Sequence, residues 1–376
     1  MTLPAGKEAA PPRAFPVQGF AVIIFFVLIG LYSADRFLAN LQRRELDVEG
    51  RRLYAAGQKL LADGQADQAV DALIRARALD RSNRTYAIAL ASAQMAAKQT
   101  DAARGTLTEI LQQDSNYAPA NLLMARIMAG EQRFKEADSY YHRAIYGLWP
   151  ANQSQERLDA RLEVADMLAA HGGSYELLSE ALLLQNTSGN DPAILKRVAA
   201  LLMKAGSPDR AAAVYQSLLR LTPKDVDAYL GLARAHMLTG DYRAAHLALV
   251  KAFVHNPNDV ALRREMGLAG KLMSLDPTSR YLSSAEKLRR SSTILSLVCD
   301  DISACLATKS APLDVRQALD DAHQMLGEKI RGIPTNEMAE ARLSMAERLW
   351  ANRALVCASA PDPSDPAVLL LKKINQ

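Results

Sequence analysis

Histidine and cysteine are the residue types best suited to metal or redox work, and the chain carries 6 of the first and 3 of the second among its 376 residues. His142, His171, His236, His246, His255 and His323 make no HxxH or HExxH pair, the spacings that put two ligands on one helical face, so no metal site is expected. No GxxxxGKS or GxxxxGKT loop is present to cradle a phosphate, no GxGxxG follows a strand pattern, and no GxSxG elbow presents a nucleophile. Catalytic residues, cofactors and a small-molecule substrate are therefore not expected. Cys299, Cys305 and Cys357 are read in two ways: as small apolar residues inside helices, or as a disulfide with one odd thiol. Pairing Cys299 with Cys357 would staple the C-terminal region, and Cys299 with Cys305 is the rival. Metal ligation is disfavoured because the C-x5-C spacing has no third and fourth soft ligand nearby.

The elements around these residues are helical in pattern. Hydrophobic residues make up 49% and charged residues 23%, a balance that folds, and 7 Phe with 2 Trp in an alanine-rich chain favour close helix packing over sheets. The 45 basic and 41 acidic side chains leave a formal charge of +4, which describes a mixed solvated surface and gives no reason to expect a nucleic acid partner.

Residues 14–34 depart from this average. They read AFPVQGFAVIIFFVLIGLYSA, with no charge, and roughly 20 helical residues suffice to cross a bilayer. One transmembrane helix is expected there, retained rather than cleaved, because Tyr32 spoils the small-x-small site at Tyr32-Ser33-Ala34. Residues 1–13 form a short tail, and residues 35–49 read as a helical stalk leading from the lipid into the folded region. Arg36, Arg43, Arg44, Arg51 and Arg52 would hold that region in the cytoplasm by a positive-inside count. The interspersed Asp35, Glu45, Asp47 and Glu49, and the usual signal-anchor arrangement, favour a bacterial inner membrane protein with its C-terminal domain in the periplasm.

Beyond the stalk a period of 34 appears. Ala69, Ala103 and Ala137 are spaced by 34, as are Gly206 with Gly240, Ala211 with Ala245 and Pro223 with Pro257. Each period holds two amphipathic helices, which marks a repeat array. The pattern resembles the tetratricopeptide repeat (TPR) family, whose units carry small residues where two helices cross, glycine between them and proline at the end. Gly57, Gly64, Ala69 and Ala76 supply these in one unit, and Ala233, Gly240, Ala245, Ala252 and Pro257 in another. Arg81, Ser115 and Trp149 stand where proline is expected. The expected fold is an all-α TPR solenoid over residues 50–257, with six units and a degenerate fourth. A partial seventh unit, with Gly267 at its small position, and a helical cap follow over residues 258–376.

The resemblance implies a protein-binding groove lined by the first helix of each unit. The family's groove positions fall on Tyr54, Gln58, Ile88, Ser92, Leu122, Arg126, Lys196, Leu230, Arg234, Arg264 and Leu268, a mixed apolar and basic lining suited to a peptide with apolar anchors and carboxylates. The chaperone-binding version needs asparagine four residues after the lysine, and Ala200 stands there. The implied function is a membrane-anchored scaffold or accessory subunit whose partners are other protein subunits and, through residues 14–34, the lipid bilayer. A transient chaperone-like assembly factor for envelope or membrane proteins is the alternative.

Overall fold

The computed structural model describes residues 17–151, 153–187, 189–279, 281–306, 312–330, 332–358, 360–361 and 365–374, with the side chains of residues 17–24, Ala39, Ser154 and Ile374 left aside. These residues are helical, and the strand pairing among them is a single isolated bridge, Tyr117 with Leu148. Contacts divide the chain into two compact units, Met1–Val164 and Ala165–Gln376.

The first unit opens with α1 (Val17–Ala62), a 46-residue helix about 69 Å long at 1.5 Å per residue. It continues without interruption from the apolar run through the expected stalk and into the first repeat. Phe25, Phe26, Leu28, Leu31, Tyr32, Phe37 and Leu38 of α1 are all exposed. Among the described residues no helix is long and apolar enough to cross a membrane. Of the segment expected to span, residues 14–16 lie outside the described residues, as do the side chains of residues 17–24. The unit continues through α2 (Ala66–Leu79), α3 (Arg84–Ala96), α4 (Thr100–Gln113), α5 (Ala118–Gly130) and α6 (Phe134–Tyr146), each packed on its predecessor.

The 34-residue period has a physical cause at each junction. Ala69, Ala103 and Ala137 are fully buried where paired helices cross, and small side chains there let backbones approach. Gly57 does the same for α1 and α2, since a Cβ on it would lie 2.6 Å from Cγ of Leu73. Between paired helices the chain turns through a left-handed residue: Gly64 (φ 76°) in the first hairpin, then Lys98 (φ 59°) and Gln132 (φ 61°) at the same offset. The closing hydrogen bonds recur too, as Gln65 N–H to Leu60 O, Gln99 N–H to Gln94 O and Arg133 N–H to Met128 O. The turn is thus fixed by the helix-end geometry even where glycine is absent.

Where the pattern calls for proline, Asp80 and Asp114 provide the bend instead. Each ends a helix and accepts a backbone N–H two residues on, from Ser82 at 3.0 Å and Asn116 at 3.1 Å. After α6 the segment at Gly147–Leu148 folds back on the start of α5, with Leu148 N–H donating to Asn116 O and Ala118 N–H to Leu148 O. Trp149 closes it by donating Nε1–H to Ala144 O. These three hydrogen bonds tie down residues 147–149.

Helix α7 (Ser154–His171) spans the division between the units. The second unit contains α8 (Ser174–Thr187), α9 (Pro192–Lys204), α10 (Pro208–Leu221), α11 (Val226–Thr239), α12 (Tyr242–His255) and α13 (Val260–Leu275). Leu177 and Leu184, at positions where the repeat calls for alanine, are buried, as is Ala181 between them. Asp191, Asp225 and Asp259, again 34 apart, cap α9, α11 and α13 by accepting backbone N–H groups of the first turn. Gly206 and Gly240 turn left-handed, at φ 72° and 76°. Gly267 differs from expectation: it is exposed and a Cβ there would meet nothing within 4 Å, while Ala269 is the buried small residue of α13. The close approach falls on Gly231 instead, where a Cβ would overlap the Tyr215 ring.

The C-terminal region is a helical cap of α14 (Ser284–Leu306), α15 (Leu313–Gly327), α16 (Asn336–Ala351), α17 (Arg353–Val356) and α18 (Pro366–Ile374). Its core gathers Leu272 of α13 with Ile294, Leu295, Val298, Ile302, Leu319, Leu349, Leu370 and Leu371, which covers the apolar face an array would otherwise leave open. Arg353 pairs with Asp301 at 2.6 Å and lies over the Trp350 ring. Beside it Cys305 and Cys357 form a disulfide, and Cys299 is free and buried. This corrects the expected Cys299–Cys357 pairing and its Cys299–Cys305 rival. Cys299 faces the helix core from mid-α14, whereas Cys305 lies two turns on, near the helix end, opposite the residue after α17.

Candidate protein-binding surface

The eleven groove positions divide between the two units. In the first, Tyr54 of α1 stacks on Tyr86 of α3 at 5.2 Å between centroids, and Gln58 donates Nε2–H to the Tyr54 hydroxyl. Burial raises the Tyr54 phenol above its usual pKa. Ile88 is half-buried, and Ser92 spends its hydroxyl on the Ile88 carbonyl at 3.0 Å. Leu122 is only 5% exposed and belongs to the core of α5, which corrects its assignment to the groove lining. The α5 start is packed on all sides, so a residue one turn in has no free face.

The basic groove residues are engaged within the chain. Arg126 makes a two-pronged pair with Glu163 of α7, Nε at 2.9 Å and Nη2 at 2.7 Å, and the Tyr141 hydroxyl joins at 3.2 Å. The hydrogen bonds to Glu163 raise the Arg126 guanidinium above its ordinary pKa, while burial and then the Glu163 charge push the Tyr141 phenol far up. In the second unit Lys196 of α9 holds Asp225 at 3.2 Å and Asp227 at 2.7 Å on α11, and Arg234 of α11 holds Glu265 of α13 at 3.0 Å. The hydrogen bond to Asp227 is the main cause that raises Lys196. Each pair joins helices in successive repeats. Exposed pairs of this kind contribute about 0.2–1 kcal/mol each. The basic part of the expected mixed lining is therefore a ladder of ion pairs at Arg126, Lys196 and Arg234. The sequence marks the basic positions, but their acidic partners lie 29 to 37 residues away, outside any local pattern. Arg264 is exposed and has no ion-pair partner among the described residues. Leu230 is half-buried on α11, and Leu268 is half-buried against the cap core rather than open to a ligand.

One metal-like grouping exists outside this surface among the described residues. Ligand atoms of Asp301, Cys305 and Cys357 lie within 4.8 Å of one another. The two sulfurs are joined in the disulfide and the carboxylate is paired with Arg353.

Helical hairpins stacked at a fixed period, joined by cross-repeat ion pairs and closed by a cap, define an α-helical repeat protein. Residues 60–127 and 202–265 match the family model described as tetratricopeptide repeat, and these segments are tetratricopeptide repeats. Superkiller protein 3 of Schizosaccharomyces pombe is 29% identical over 181 residues, 42% of this chain. The chain spans 12% of the length of that curated relative. Among solved structures, Pseudomonas aeruginosa pilF matches 59% of this chain with 99% of its own, at 16% identity and a TM-score of 0.42. PilW, a widely conserved type IV pilus biogenesis factor, matches 57% with 97% of its own, at 17% identity and a TM-score of 0.40.

Proposed function

We propose that this chain is a membrane-anchored scaffold or accessory subunit that uses tetratricopeptide repeats to hold other protein subunits of a membrane or envelope assembly. The observation that carries the reading is the continuity of α1. The helix that bears most of the uncharged run from residue 14 to 34 is also the helix whose Gly57 packs on Leu73, so the first repeat is a rigid extension of the segment assigned to the bilayer. The uncovered Phe25, Phe26, Leu28 and Leu31 support burial of that segment in lipid, since apolar side chains on every face of this part of the helix have no other cover among the described residues.

The cap supports one side of the membrane over the other. A disulfide persists in an oxidising compartment, so Cys305–Cys357 favours the periplasm of a bacterial cell over its cytoplasm. The partner surface is the first-helix face within each unit, offering Ile88 and the stacked Tyr54 in one and Leu230 with Arg264 in the other. Because Arg126, Lys196 and Arg234 are already paired, a partner is gripped by apolar anchors first, and its carboxylates share those cations with Glu163, Asp225 and Glu265. Extraction of cell membranes at alkaline pH tests the anchor. Retention of the full-length chain in the pellet is expected, and its release into the wash contradicts the reading.

A further inference from the structure

Helix α1 carries a second pattern besides its uncharged run. Val27, Leu31, Ala34, Leu38, Leu41 and Val48 follow one another at alternating spacings of four and three residues, with Glu45 in the one gap, and all are exposed. That alternation is a coiled-coil seam, a stripe that repeats every seven residues and packs against the same kind of stripe on a neighbouring helix. The chain's own helices supply no such neighbour among the described residues. The described side chains of residues 25–49 are all exposed, and the first buried residue of α1 is Gly50, against the Tyr86 ring. Lipid does not account for the lower part of the stripe either. Leu38, Leu41 and Val48 lie beyond the uncharged run that ends at Ala34, and at 1.5 Å per residue Val48 stands roughly 20 Å past it.

The charges beside the stripe say what covers it. With Leu38 and Glu45 at a positions and Leu41 and Val48 at d, Arg44 and Glu49 hold the g and e positions, where opposite charges face each other across two parallel helices. Arg44, Glu45 and Glu49 are exposed and make no ion pair among the described residues. Other charges of this stretch are settled within α1 itself: Arg36 lies over the Tyr32 ring and Arg51 pairs with Asp47 at 2.7 Å. On a lone helix Glu45 and Glu49, four residues apart, repel each other. In a parallel pair, Arg44 of the second copy meets both carboxylates. Twofold symmetry then repeats the contact on the other side, so this one sequence satisfies both halves of the interface.

We propose that α1 pairs in parallel with α1 of a second copy of this chain along the stripe from Val27 to Val48, so that two repeat arrays leave the membrane side by side. The inference rests on the anchor reading, because helices held in one membrane through residues 14–34 enter the pair with the same polarity. Leu38 and Leu41 form its apolar layers outside the bilayer, and Arg44 sets the register against Glu45 and Glu49.

Single cysteines in the full-length chain test the seam in isolated membranes under mild oxidation. One replaces Leu41 on the stripe and the other replaces Arg43 on the opposite face of the helix. Cys299 is buried and Cys305 is joined to Cys357, so the introduced thiol is the one available to react. A covalent dimer from Leu41→Cys that is lost in Arg43→Cys is expected. No dimer from Leu41→Cys, or equal yields from both, overturns the proposal. Charge reversal then tests the recognition. In the Leu41→Cys chain, Arg44→Glu should lose the dimer, and so should Glu45→Arg with Glu49→Arg. The two reversed chains, expressed together with different tags, should crosslink to each other. Undiminished crosslinking of either reversed chain to itself, or no mixed dimer when both chains reach the membrane, overturns it. The detergent-extracted unaltered chain should have the mass of two copies, and one copy or three contradicts the pairing. Alkaline washing of the same membranes keeps the two readings apart. A chain that stays in the pellet without dimers leaves the anchor standing and overturns the pairing alone, whereas release into the wash overturns both.

Discussion

Replacing Cys305 and Cys357 together by alanine isolates what the disulfide contributes to the cap. The residues are 52 apart, so the bond closes a long loop, and the chain-entropy relation gives about 4 kcal/mol lost from the unfolded ensemble at 25 °C. The native packing around it should survive, because Arg353 still pairs with Asp301 and Val356 stays in the core cluster. Trp350 lies beneath the Arg353 guanidinium and reports on the cap, provided Trp149, the other tryptophan, is replaced by phenylalanine in both chains. With a urea dependence near 2 kcal/mol/M, the Trp350 transition of the double variant is expected about 2 M lower than that of the oxidised parent. Reducing the parent should reproduce the shift. A change below about 0.5 M would refute the reasoning that the bond acts by restricting the unfolded chain. A nonreducing peptide map with three free thiols would remove the pairing itself.

Four further outcomes follow from the same geometry. Gly57→Ala should destabilise the first unit by about 1–3 kcal/mol in thermal unfolding, because the new methyl meets Leu73, which is itself fully buried and has nowhere to move. Gln132→Gly should raise stability by up to about 1 kcal/mol, and Gly206→Ala lower it by a similar amount, since both sites are left-handed. Burial, helped by Asp300, pushes the Cys299 thiol up to about 11 from the usual 9.0, so iodoacetamide should leave the folded chain unmodified at pH 8 and label one cysteine in urea. Because the folded-state pKa is raised, the neutral thiol's contribution to stability is full below pH 9.0 and declines as pH rises towards about 11. Exchanging the charges of Arg126 and Glu163 should restore the stability lost by either single reversal, within about 1 kcal/mol, yet reduce partner recovery if Arg126 shares its charge with a partner.

The repeat is legible because its signals are local. Alanines at 34-residue spacing, glycines between helices and prolines after them each answer to a backbone need within one unit, and Ala69, Ala103, Ala211 and Ala245 are all fully buried. What the sequence hides depends on partners distant in the chain. The turns at Lys98 and Gln132 carry no glycine, and the Asp80 and Asp114 bends replace proline by a side-chain hydrogen bond, so both escape a search by residue type. Leu122 and Leu268 fall in the groove by register alone, although one is core and the other lies against the cap. The basic groove residues can be found in the sequence, but Glu163, Asp225 and Glu265 cannot, because ion pairs across repeats leave no fixed spacing. The disulfide pairing is hidden for a related reason. Helix α14 runs on to Leu306, which carries Cys299 into the core and Cys305 to the edge.

The central claim is that an anchored array grips a protein partner on its first-helix face. Photo-crosslinking from single positions in intact membranes tests it directly, with the reactive group at Leu230 on α11 in one chain and at Leu247, on the exposed side of α12, in another. One predominant protein adduct from position 230, recovered with the membrane fraction after an alkaline wash and absent from position 247, is the predicted result. An adduct from position 247 alone, or recovery of the chain in the soluble fraction, would contradict the account.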